Sequence, residues 1–227
     1  MPNPIKPNFK TELFPIILIL IAFASSFYFY SVFPPEVPTH WNFNGEVDQW
    51  SSKAVGAFLF PAIILGMYIL FLVLPFADPK KERYSEFAKT YHIFKTIMIT
   101  IFTLLYFATS LSSAGIADIP IGLFTTFLIG SMFIVIGNYM SKLKSNWFVG
   151  IKTPWTLSSE EVWNKTHRLG GKIFIVSGFI MMAMQFLPAF FRLPLFILII
   201  IMMTVGTFGY SYYAYRKENK KSNTKTI

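Results

Sequence analysis

An all-α membrane bundle of six transmembrane helices is the fold this sequence predicts, and three observations predict it. Hydrophobic residues make up 54% of the 227 and charged residues only 14%, against about 25% charged in a soluble domain. Long, nearly charge-free runs recur, each close to the ~20 residues that cross a ~30 Å hydrocarbon core. Lysine and arginine, 20 in all, gather loop by loop on one side of those runs. A water-soluble core could hide one or two such helices, but not six in a chain of this length.

The spans read as 13–33, 54–76, 97–115, 119–140, 173–190 and 193–214. Before the first, Lys6 and Lys10 form a basic tail, and Ala22-Phe23-Ala24 imitates a signal-peptide cleavage site. The apolar run continues through Phe27 to Phe33, which is long enough to span, so an uncleaved first helix is expected. Every Lys and Arg except Lys53 and Arg192 falls in the N-terminal tail, loops 2 and 4, or the C-terminal tail. Positive charge resists translocation, so those segments and both termini are expected in the cytoplasm. The net charge of +9 is then a topology signal that also attracts anionic lipid, with no basic domain to bind nucleic acid directly.

Loop 1, residues 34–53, is expected outside as a short hairpin-like element after the first helix. Asn44-Gly45 signals a type I′ turn because both residues tolerate positive φ. Thr39–Phe43 and Glu46–Trp50 flank it with rough alternation. Two readings stay open. One is an external recognition element with His40, Asp48 and Lys53 as polar determinants; the other is an interfacial loop anchored by Trp41 and Trp50. One histidine and two carboxylates are an incomplete ligand set, so no metal is expected.

Loop 4, residues 141–172, holds the most particular sequence. Ser158-Ser159-Glu160-Glu161 has the form of a capping box, with Ser158 as the cap. It predicts a short amphipathic cytoplasmic helix over 159–169, between helices 4 and 5, ended by Gly170-Gly171. Pro154 keeps Thr153 extended, so Lys152–Leu157 reads as a rigid, non-helical approach. Val162, Trp163, Thr166 and Leu169 share one face, with Glu160, Glu161, Lys165 and Arg168 largely elsewhere. That pattern suits a helix lying in the inner interface or a docking surface for a cytoplasmic partner. Interfacial packing gives no reason for Thr153-Pro154-Trp155-Thr156.

These residues carry a resemblance. Gly137-Asn138, Asn146, the run Gly150-Ile151-Lys152-Thr153-Pro154-Trp155-Thr156-Leu157 and Val162-Trp163 resemble the signature of the SdpI family, bacterial membrane proteins named for immunity to a secreted killing peptide. Upstream, Pro38-Thr39-His40-Trp41-Asn42, Gly45, Asp48 and Ser52-Lys53 resemble the N-terminal domain of unknown function that accompanies it. One position departs: Lys152 stands where the family commonly has Arg, and an ammonium does not replace a bidentate guanidinium.

The resemblance implies two regions: residues 1–115, with helices 1–3 and the outer loop, and an SdpI-like region over 116–227. It also implies protection against a secreted antimicrobial peptide. In the best-known member it further implies capture of a small transcriptional repressor at the membrane. The cytoplasmic partner site then falls on Asn138, Asn146, Gly150, Lys152, Thr153, Pro154, Trp155, Thr156 and Trp163. The outer recognition site falls on His40, Trp41, Asn42, Gly45, Asp48 and Lys53.

Other classes find less support. There is no HExxH, GxSxG or Walker A motif, so no enzyme is expected, and an enzyme acting on lipid is the weakest of the three readings after immunity and transport. Zero cysteines exclude disulfides and thiolate chemistry, and no cofactor is expected. His92 and His167 stand isolated, suited to an edge-of-membrane or capping role, and Asn164-Lys165-Thr166 falls on the cytoplasmic side as a chance glycosylation match. No span as bounded above holds a buried carboxylate or arginine, which counts against a small transporter or exporter, the alternative function. Asn138 and Gln185 are expected to hydrogen-bond inside the bundle, and Thr103, Thr109, Ser110, Ser112 and Ser131 to serve backbone carbonyls or neighbouring helices.

Overall fold

The computed structural model describes residues 3–42 and 45–225. Six helices in it are long and apolar enough to cross a membrane. The order is α1 (Phe9–Val32), β1 (Glu36–Trp41), β2 (Val47–Ser52), α2 (Lys53–Ala77), α3 (Tyr84–Ser113), α4 (Ile121–Met140), α5 (Pro154–Ser158), α6 (Glu160–Ala183), α7 (Ala189–Ile201) and α8 (Thr207–Lys225). Helices α7 and α8 form one span, joined by a π-helical turn at Met202–Gly206. The chain is a multi-pass membrane protein.

The hairpin is present; its first strand begins earlier, and its second ends later, than the alternation suggested. Glu36 faces Ser52 and Trp41 faces Val47, with bulges around His40. Asn44 of the expected turn lies outside the described residues, while Gly45 does adopt φ +84°. A Cβ on Gly56 would sit 2.3 Å from Val37 Cγ2. That close approach lets the hairpin lie down on α2.

Helix ends differ from the sequence reading, and the reason is chemical. Spans one and three reach further at their charged ends, taking in Glu12 and Lys95. Lys95 is completely buried and donates to Glu12 Oε1 at 2.6 Å; Tyr68 donates to Glu12 Oε2 at 2.9 Å. A buried ion pair therefore does lie between the spans, its carboxylate one residue outside the bounds within which the sequence showed no buried carboxylate or arginine. In sequence each member looks like an ordinary loop charge. Only their mutual neutralisation makes burial tolerable.

A second correction concerns Gly170-Gly171, expected to end a separate interfacial helix. They sit inside α6, which runs unbroken from Glu160 to Ala183. A Cβ on Gly171 would lie 2.6 Å from Gly137 O, and one on Gly178 would lie 2.5 Å from Gly130 O. Glycines thus bring antiparallel α4 and α6 into backbone contact at two levels, as small residues do between membrane helices. The cap is displaced as well: Ser159, not Ser158, accepts from Val162 N.

Candidate functional site

Two places concentrate polar side chains. The first is a cavity of about 460 Å³ beneath the hairpin, within the roughly 300–1,000 Å³ typical of ligand sites. His40, Trp41 and Asn42 border it from the hairpin, Thr109 and Ser110 from α3, and Thr125 and Thr126 from α4. Phe33, Leu59, Phe60, Ile129 and Phe196 supply apolar walls. Gln185 Nε2 donates to Thr126 Oγ1 at 2.8 Å, so Gln185 hydrogen-bonds within the bundle as expected. Arg192 also lines the cavity, donating weakly to Gln185 O at 3.4 Å while its buried Nε has no partner among the described residues.

Sequence reasoning did not select Arg192. The available signal was its isolation, as one of two cations left on the sparse side of the charge division.

Of the outer-loop residues, His40, Trp41 and Asn42 reach the cavity, and Asp48 joins them through a 2.5 Å contact with His40 Nδ1. Asn42 closes the turn, accepting from Gly45 N at 2.9 Å and from Glu46 N at 3.0 Å. Gly45 supplies the left-handed residue of that turn, and its Cα packs against Gly122 of α4. Lys53 stands apart, its ammonium 4.6 Å above the Tyr30 ring.

The second place is the segment 141–159, at the opposite end of the bundle from the hairpin. Here the residues expected to meet a partner mostly bind one another. Asn146 is buried and makes four hydrogen bonds within its own loop: Nδ2 donates to Lys144 O and Val149 O, and Oδ1 accepts from Phe148 N and Val149 N. Gly150 has φ +111°, and a Cβ there would fall 2.4 Å from His167 Nε2. That nitrogen accepts from Ile151 N at 2.9 Å, while Nδ1 of the same ring meets Trp163 O at 2.8 Å. With Nε2 accepting, the proton sits on Nδ1. Trp163 is fully buried, stacks on His167 and donates from Nε1 to Leu143 O at 2.8 Å.

The Thr-Pro-Trp-Thr run is a helical turn rather than an extended approach. Thr153 is extended and caps α5, accepting from Thr156 N, while Thr156 Oγ1 accepts from Thr153 N at 2.8 Å. Proline at the first helical position suits this, because its missing N–H would be unpaired anyway. Both threonines are buried. Trp155 is half-buried against α8, its ring 4.9 Å from Phe208 and 5.0 Å from Tyr212. Lys152, Pro154 and Asn138 remain exposed. For Asn138 that departs from the interior bond expected of it.

Asp78, unremarked in the sequence, holds this segment to the other half of the chain. Buried between them, it accepts from Lys80 N at 2.7 Å, Tyr84 OH at 2.9 Å and Trp147 N at 2.8 Å. Lys80 Nζ donates to Ser145, and Arg83 makes a two-pronged pair with Glu160. Ser159 Oγ donates to Glu218 of α8 at 2.7 Å. The loop is thus clamped from three directions.

Residues 142–213 match the SdpI/YfhL protein family, and residues 17–65 match a domain of unknown function, DUF1648. The chain is also 28% identical over 211 residues to the immunity protein SdpI of Bacillus subtilis (strain 168), covering 92% of this chain and 98% of that one. The chain is similar to the SdpI family over these residues. The SdpI match begins where the clamped loop begins and ends within α8, so it takes in the capped turn, the His167 network and the Trp155 contacts. The DUF1648 match runs from residue 17 of α1 through the hairpin and the first half of α2, so it contains the lid of the cavity. No solved structure matches the chain.

Proposed function

We propose that this SdpI-type protein is an immunity protein that engages a secreted antimicrobial peptide at the cavity beneath the hairpin, with that face outside the cell. The observation that carries the reading is the cavity's construction. Its lid is the His40–Trp41–Asn42 strand, its floor carries hydroxyls and Gln185, and it holds one under-bonded cation at Arg192. Buried polar groups without partners are the groups that discriminate among ligands, because a fitting partner recovers a lost hydrogen bond. The relative named an immunity protein is similar over nearly the whole chain, and this supports the same role here.

The opposite face belongs to a second step. Both termini and the 141–159 segment lie in the cytoplasm in this reading, on the charge division described above. Clamped by Asp78, Arg83 and Glu218, the segment is stiff, and it leaves Asn138, Lys152, Pro154 and an edge of Trp155 for a small cytoplasmic repressor. The two regions, 1–115 and 116–227, then divide the labour: the first supplies the lid, the second the inner surface. The experiment is protection of a sensitive strain by the expressed protein. Thr109→Phe, which fills the cavity, and the pair His40→Ala and Asp48→Asn are expected to lose protection at unchanged membrane levels. Full protection by all of them would overturn the proposal.

A further inference from the structure

A second groove, of about 660 Å³, lies at the end of the bundle that carries the termini, between the N-terminal segment, α1 and α3. Its composition changes along its length. Lys6, Lys10 and Lys89 surround one end, and Phe14, Ile93 and Ile97 line the other. The three lysines come from two stretches of chain far apart in sequence, Lys6 and Lys10 around the start of α1 and Lys89 on α3, and none forms an ion pair among the described residues. Among the described residues no carboxylate lines the groove, and nearby Glu12 is paired with Lys95.

The arrangement is built rather than incidental. Ile5 is 1% exposed, and its carbonyl meets His92 Nε2 at 2.9 Å, so the N-terminal segment is fastened to α3. Lys6 follows with φ 48°, the one non-glycine residue at positive φ among those described. That backbone conformation is held by Lys6 N donating to Asn3 O at 2.9 Å. A local strain of this kind persists only where neighbouring contacts impose it. His92 Nδ1 makes no hydrogen bond and faces Glu12 Oε1 at 3.6 Å, which sets that ring between the groove and the buried ion pair.

We infer that this groove is a specific site for an anionic glycerophospholipid, its phosphate held among Lys6, Lys10 and Lys89 and one acyl chain lying along Phe14, Ile93 and Ile97. A basic pocket between membrane helices recognises a lipid head group by charge, and the amino end of α1 adds its partial positive field at the same place. The apolar continuation distinguishes a phospholipid from free phosphate.

The test is association of phosphatidylglycerol against phosphatidylcholine with the full-length protein in lipid nanodiscs, read by native mass spectrometry of retained lipid. Wild-type protein is expected to prefer phosphatidylglycerol by about tenfold or more. Lys6→Gln, Lys10→Gln and Lys89→Gln combined should bring that preference to within about twofold, while Lys142→Gln with Lys217→Gln, elsewhere on the same end, should leave it intact. Ile97→Trp, filling the apolar part, should reduce retention with all lysines present, and excess inorganic phosphate should not displace the lipid. A preference that survives the triple substitution, falls equally in the control, or yields to inorganic phosphate would overturn the assignment.

Discussion

Replacing Glu12 by Gln asks whether the buried ion pair holds the first three helices together. Lys95 has a side chain 0% exposed and Glu12 one 13% exposed, so both charges have left most of their water. Glu12 accepts from Lys95 and from Tyr68, and the ammonium also lies 5.4 Å from the Tyr68 ring centre. Glu12→Gln leaves the ammonium buried without its counter-charge, and losing one partner of such a pair costs about 3–5 kcal/mol. Lys95→Met should cost less, about 1–3 kcal/mol, because Glu12 is nearer the surface and keeps the Tyr68 bond. The double variant removes both charges and should fall within about 1–2 kcal/mol of wild type, since hydrophobic replacement of a whole pair is often close to neutral. The coupling energy of the cycle is therefore expected to exceed about 2 kcal/mol. Reversible unfolding of the detergent-solubilised protein against increasing SDS, followed by tryptophan fluorescence, measures all four corners. A Glu12→Gln cost below about 1 kcal/mol, or additive single costs, would refute the view that the pair is a buried structural element.

Three further outcomes follow from the same packing. Gly171→Val should force α4 and α6 apart and lower membrane abundance, as its Cβ would already meet Gly137 O at 2.6 Å; overpacking of this kind costs about 1–3 kcal/mol or more. Gly66→Ala, with nothing within 4 Å of the added methyl, is the neutral control. Trp163→Ala should cost about 3–5 kcal/mol as a fully buried aromatic, and Thr156→Ala about 1 kcal/mol as a lost cap. Trp155→Ala should cost clearly less than Trp163→Ala and mainly loosen α8; equal losses in unfolding experiments would contradict this. Cysteines at Ser52 and Ser158, both exposed in this cysteine-free chain, give the orientation: an impermeant thiol reagent on intact cells should label the first and spare the second.

Much of the architecture was legible because hydropathy reports it directly. Six apolar runs became six spans, and alternation around Gly45 became a hairpin. The misreadings have a common cause, which is that one residue type serves two physical ends. Gly170-Gly171 can stop a helix or bring two helices into contact, and the deciding partner, Gly137, is more than thirty positions away. Glu12 and Lys95 read as loop charges until each is seen beside the other. The Thr153–Thr156 block was recognisable as particular, but its work is internal: both hydroxyls are spent on the cap. Arg192 and Asp78 carried no motif, because an unpaired cation in a cavity and a three-way acceptor between loops are properties of the assembled bundle.

Direct contact between a peptide and the cavity is the most telling measurement. A photoreactive residue at Thr125, which lines the cavity, is compared with one at Leu20, which is 62% exposed on the outer face of α1. Cells protected by each variant are exposed to the secreted peptide and irradiated. An adduct at Thr125 and none at Leu20 is expected, with the Thr125 adduct lost on adding Arg192→Gln. Protection without any adduct at Thr125, or equal adducts at both positions, would contradict engagement of the peptide in the cavity beneath the hairpin.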